Sequence, residues 1–193
     1  MATLQRTLLS ALALTLILAG WAVASGPITF ERGSSITVEG TSNVHDWDCD
    51  ADEFMASGAG QASGATLTSL TALRVTVVPA NLDCGSGTMN KNLRKATGTS
   101  PIVYALTSAT TGAVRNGTFP INVQGQLTMH GTTRSVAIRA QGKSLGGNRF
   151  QVTGSVPVTM SQFGIDPPRA MMGTMRTGDQ ATVQFNVKIN AGS

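Results

Sequence analysis

The sequence predicts an all-β fold of about eight antiparallel strands, a barrel or a sandwich, with one short helix. Three observations carry this expectation. Apolar and polar residues alternate over several stretches, turn-forming residues separate those stretches, and a single segment shows helical periodicity. Composition agrees: of 193 residues, 41% are apolar, 12% charged and 5% aromatic, with 22 glycines and 25 threonines. A disordered chain pairs low hydrophobicity with high charge, and a coiled coil needs far more Ala, Glu, Lys, Leu and Arg.

Residues 1–24 read as a cleaved signal peptide, which leaves one domain over residues 25–193. Arg6 precedes the run Leu8–Val23, apolar except for Ser10, Thr15 and Gly20. The run ends in Ala22-Val23-Ala24, with small residues at both positions a signal peptidase reads. It is shorter than the roughly 20 apolar residues of a membrane span.

Strands are expected at 35–41 and 45–54. In the second, period two turns Asp46, Asp48, Asp50 and Asp52 to water and His45, Trp47, Cys49 and Ala51 inward. The aspartates fail as a calcium loop because the sixth position is not glycine and the twelfth is not glutamate. A strand follows at 70–78. Thr88–Thr97 is the helix, with Met89, Leu93 and Ala96 on one face, Lys91, Arg94 and Lys95 away from it, and Gly98 as its stop. Gly85-Ser86-Gly87 is too short for a phosphate loop and reads as a helix cap. After a strand at 102–107 comes a hairpin, 121–129 with 136–140, turning at His130-Gly131-Thr132-Thr133. Phe150–Val158 and Ala181–Ile189 close the series. In the last, Ala181, Val183, Phe185, Val187 and Ile189 share one face.

Candidate chemistry is sparse. For an exported chain, Cys49 and Cys84 favour a structural disulfide over free thiols or a metal site with His45 and His130, because no Cys-x-x-Cys or His-x3-His spacing exists. Gly142-Lys143-Ser144-Leu145-Gly146 matches a nucleophile elbow in letters only. It joins expected strands, and both histidines precede the serine. Met171, Met172 and Met175 suit core packing, an adaptable cavity mouth, or Cu(I) ligation. Residues 25–53 carry seven acids and one base, residues 54–193 three acids and twelve bases. The bases are dispersed and the chain holds nine aromatic residues, which argues against a nucleic-acid partner.

Four short segments in order carry a family resemblance: Gly40-Thr41-Ser42-Asn43-Val44-His45-Asp46-Trp47, Met89–Ala96, Gly125–Thr133, and Ser161–Ile165 through Gly178-Asp179. In these the chain resembles the YceI-like proteins, exported polyisoprenoid-binding proteins of bacteria. The cysteine pair is not part of the resemblance. What it implies is a lipocalin-like barrel in the periplasm, non-enzymatic and without a cofactor or metal, whose apolar lumen holds an isoprenoid or fatty-chain amphiphile. No stable membrane insertion is implied, and a homodimer stays open. On this reading His45, Trp47, Phe54, Leu93, Tyr104, Phe163, Met171 and Met172 are the expected lining of the lumen or its mouth. Lys91 and Arg94 are the expected head-group contacts. The alternative is a periplasmic copper or redox-linked protein using Met, Cys and His.

Overall fold

Chain-order alternation builds a ring of strands rather than two stacked sheets. The computed structural model describes residues 25–170 and 173–192, so the expected signal segment and the expected site residues Met171 and Met172 lie outside the described residues. The strands are β1 (Gly26–Phe30), β2 (Ser35–Ser42), β3 (Trp47–Ala51), β4 (Phe54–Ser63), β5 (Thr66–Val77) and β6 (Leu82–Asp83). The helix α1 (Gly87–Thr97) follows, then β7 (Ile102–Thr111), β8 (Thr118–Met129), β9 (Thr132–Gly146), β10 (Arg149–Thr159), β11 (Arg169–Ala170) and β12 (Met175–Ala191). The strands β1, β4, β5, β7, β8, β9, β10 and β12 close the ring, sealed where Ile28 pairs with Ala191 and Phe30 with Ile189. The expected eight-stranded antiparallel barrel is therefore the observed one.

Two of the eight staves are broken. β2 continues β1 along the same edge of β12, with Ser35 opposite Asn186 and Gly40 opposite Ala181. β3 lies antiparallel to β2 as β4 does to β1. The expected strand 45–54 is thus two strands. It starts at Trp47 and stops at Ala51, where the Asp52 N–H donates to the Asn81 carbonyl at 3.0 Å instead of to a ladder partner. Alternation does not mark β1 or most of β4, because Ala56-Ser57-Gly58-Ala59-Gly60 has too little side chain to show a pattern.

Local chemistry explains the other boundaries. The Ser86 hydroxyl accepts from the Met89 N–H at 3.3 Å to start α1, and Gly98, at φ 75°, returns its N–H to the Arg94 carbonyl. β8 and β9 join through His130-Gly131, both at positive φ, a two-residue turn whose twist matches the strands. The turn is shorter than expected, since Thr132 and Thr133 already pair with Met129 and Thr128. Gly142–Gly146 lies inside β9 with Ser144 opposite Phe150, so the serine sits on a strand and not on an elbow.

The inner wall has a recurrent device. A Cβ at Gly40, Gly125, Gly142 or Gly154 would overlap ring atoms of Trp47, Tyr104, Phe119 or Phe185 respectively. Three of these pairs are directly opposite in register: Gly40 with Trp47, Gly142 with Phe119 and Gly154 with Phe185. Each ring covers the backbone of a neighbouring strand that a side chain would otherwise cover.

Cys49 and Cys84 form a disulfide, both residues buried, joining β3 to the segment between β6 and α1.

Candidate functional site

All eight staves turn apolar side chains inward, and together they enclose a cavity of about 260 Å³. Its wall is built from Val, Ile, Leu and Phe at alternate positions, among them Ile121 and Val123 of β8, Val152 and Val156 of β10, and Val183 and Val187 of β12. Among the described residues, no charged side chain lines it.

The two ends are built differently. At the end holding the β9–β10 turn, Phe119 and Phe150 meet edge to face, centroids 5.7 Å apart and planes at 89°, and both are fully buried. They lie opposite Gly142 and Ser144, a few residues from the turn, and mark the floor end of the barrel, packed in one cluster with the lining residues Ile121 and Val152. At the other end α1 forms the roof, with Leu93 and Thr97 lining the cavity. Leu82 lies beneath it, and a cluster of Met129, Val158, Met160, Phe163 and Ile165 packs beside it against Ala96 and Ile102. Because Cys84 lies between β6 and α1, the disulfide ties the approach to the roof to the barrel wall.

Polar atoms in the lining are few. The Trp47 indole N–H donates to the Thr41 carbonyl at 3.2 Å, and the Thr97 hydroxyl to the Leu93 carbonyl at 2.9 Å. The Tyr104 hydroxyl is buried without a hydrogen-bond partner. Burial pushes its pKa above the ordinary phenol value, because the charged form loses its hydration.

Of the residues singled out by sequence, Trp47, Phe54, Leu93 and Tyr104 line the cavity. Two others do not. His45 is exposed, and its Nδ1 lies 2.7 Å from the Asp46 carbonyl. The strand starts only at Trp47, because residues 43–46 are a turn held by the Ser42 hydroxyl, which accepts from the Val44 and His45 N–H groups at 3.2 and 3.1 Å. Phe163 is only 2% exposed, but it packs within the roof cluster instead of facing the lumen. Lys91 is exposed and Arg94 half-buried on the roof helix. Asp46, Asp48, Asp50 and Asp52 are all exposed, and Asp50 accepts the Thr37 hydroxyl at 2.6 Å. Sequence reasoning placed most of the wall on inward faces without naming it as site. Cys49 and the β5 residues Leu70, Leu73 and Val75 belong to it too.

A family model described as the YceI-like domain matches residues 24–189. This chain belongs to the YceI-like family. Solved structures share the YceI-like fold at low identity. Burkholderia cenocepacia BcnA superposes with a TM-score of 0.61 at 16% identity, over 80% of this chain and 95% of that one. A polyisoprenoid-binding domain from Saccharophagus degradans, implicated in plant cell wall breakdown, gives 0.64 at 12%, over 86% and 98%. A Campylobacter jejuni YceI protein gives 0.58 at 14%, over 75% and 85%. No curated protein sequence matches the chain. Among the described residues, no helix is long and apolar enough to cross a membrane.

Proposed function

We propose that this YceI-like barrel is an exported, non-enzymatic binding protein that holds the chain of a polyisoprenoid or similar long-chain amphiphile in its lumen. The observation that carries this is an apolar cavity walled by eight strands, with no charged side chain among its described lining residues. Such a lumen discriminates by exclusion of water rather than by polar contacts. An engineered apolar cavity of roughly 150 Å³ holds benzene, so about 260 Å³ holds about ten chain carbons. At about 0.8 kcal/mol per methylene, these contribute about 8 kcal/mol before the cost of ordering the chain.

The chain runs down from the roof between Leu93, Trp47, Phe54 and Tyr104, with its end pointing towards the Phe119–Phe150 pair. The head group stays at the roof end, where Lys91 and Arg94 attract an anion. The segment 1–24 and the disulfide support a periplasmic location, since disulfides persist in oxidising compartments. Because Cys49 and Cys84 are bonded to each other, neither is free as a thiolate ligand for copper.

Native mass spectrometry of protein purified from its own compartment, with extraction of what it releases, tests this. The expected result is an adduct that dissociates to a long-chain amphiphile. A clean apo mass, with no uptake when such lipids are added back, sinks the reading.

A further inference from the structure

The Tyr104 hydroxyl is out of keeping with the lumen around it. Tyr104 is 8% exposed, lines the cavity, and its hydroxyl has no hydrogen-bond partner among the described residues. Ser69 Oγ is likewise buried without a partner, but Ser69 does not line the cavity. The Tyr104 ring leans across β8 onto the inner face of Gly125. A Cβ built there would lie only 2.5 Å from the hydroxyl oxygen, which places that oxygen on the lumen side of the wall.

An unmade hydrogen bond at a buried hydroxyl is costly, and phenylalanine would line the same wall without that cost. Ordered water does not resolve the problem, because a buried water needs two to four polar partners. The other polar side-chain groups of the lining, on Trp47 and Thr97, already donate to backbone carbonyls. A water beside Tyr104 would exchange one unpartnered group for another.

We propose that the lumen selects a chain carrying one uncharged hydrogen-bond acceptor, a ketone, ester or ether oxygen, which takes the proton offered by the Tyr104 hydroxyl inside the barrel. This rests on the reading that the lumen holds an apolar chain, and it names the class of chain. The depth sets where the oxygen belongs. Gly125 lies six residues from Phe119 along β8, about 20 Å along the strand and about 15 Å of depth at the usual tilt of barrel strands, and four from Met129 in the roof cluster. The oxygen therefore sits between floor and roof, with apolar chain below it. A carboxylate or phosphate does not fit at this depth, since no cation lines the lumen to offset its lost hydration. A bare hydrocarbon fits in volume but leaves the hydroxyl unpaired.

The experiment compares nonane with 5-nonanone, matched in length and within the cavity's volume, by displacement of a fluorescent apolar probe from the wild type and from Tyr104→Phe. The variant removes one oxygen and keeps the ring over Gly125. The expected result is that the substitution lowers the ketone-over-alkane preference about three- to tenfold, as loss of one buried hydrogen bond does. An unchanged preference overturns the Tyr104 assignment while leaving the binding reading intact. Failure of the wild type to take either compound overturns both. Should Tyr104→Phe not fold, infrared spectroscopy of carbonyl-labelled 5-nonanone in the wild type decides. A carbonyl stretch shifted to lower frequency than in alkane solvent supports the hydrogen bond, and a band at the alkane position overturns it.

Discussion

Removing the Cys49–Cys84 bridge, by reduction or as Cys49→Ala with Cys84→Ala, should lower stability without abolishing the fold. The two cysteines are 35 residues apart in sequence. In the chain-entropy model a loop of that size restricts the unfolded chain by about 4 kcal/mol at 25 °C. For a domain of this length each kcal/mol moves the melting temperature by roughly 2–4 °C, so the expected drop is about 8–16 °C. Both sulfurs are buried, so reduction requires partial denaturation, and the paired alanine variant is the cleaner arm. Differential scanning calorimetry of oxidised wild type and variant measures the drop, and hydrogen exchange locates it. Amides of α1 should lose protection first, because the bridge anchors the segment that leads into the roof. Melting temperatures within about 2 °C of each other would refute the loop-entropy reasoning. Uniform loss of protection around the ring would refute the anchoring role.

Gly154→Ala should destabilise the protein by about 1–3 kcal/mol, since a Cβ there lies 2.5 Å from the Phe185 ring and forces it towards the lumen. Denaturant titration reads the stability, and probe binding reads the lost volume. Lys91→Glu with Arg94→Glu should weaken an anionic amphiphile at low salt and leave an uncharged one unchanged, with the difference fading as salt is raised. Direct titration at two ionic strengths measures this. The Asp83 carboxylate accepts from the Asn90 side chain at 2.9 Å and from the Gly85 N–H at 3.1 Å, which holds its pKa below 3.8. Its contribution to stability is complete above the unfolded value and is lost as pH falls through the folded one. Asn90→Ala should move the Asp83 pKa back up, as read by carbon-detected NMR titration.

The staves with bulky inward residues were legible in the sequence. In Ala181–Ile189 and Phe150–Val158 the period-two pattern names the faces that line the lumen, and α1 is marked by its serine cap and glycine stop. β4 was not legible, because a strand of Gly, Ala and Ser is recognised only by the neighbours that pair with it. His45 shows the opposite failure. Its alternation with the aspartates is real as a pattern, yet the Ser42 turn ends the strand before reaching it. Phe163 lies in a motif of the family resemblance and is buried, but whether a buried ring packs the roof or faces the lumen depends on how the chain crosses after β10. The placing of α1 over one end of the ring and of the Phe119–Phe150 pair at the other has no local signature. The unpartnered hydroxyl of Tyr104 likewise emerges only when every neighbour is in place.

The rings seated over Gly40, Gly125, Gly142 and Gly154 have a consequence for how this barrel can change. The bore is set by positions that carry no side chain, so a scan that truncates the large wall residues one at a time would miss its principal determinants. Each glycine and its ring form an epistatic couple. Gly142→Ala alone collides with Phe119, and Phe119→Leu alone leaves a gap at the floor, whereas the two together exchange one bulk for the other. Sequence can thus drift in matched steps, two sites at a time, with little change in the volume the barrel encloses.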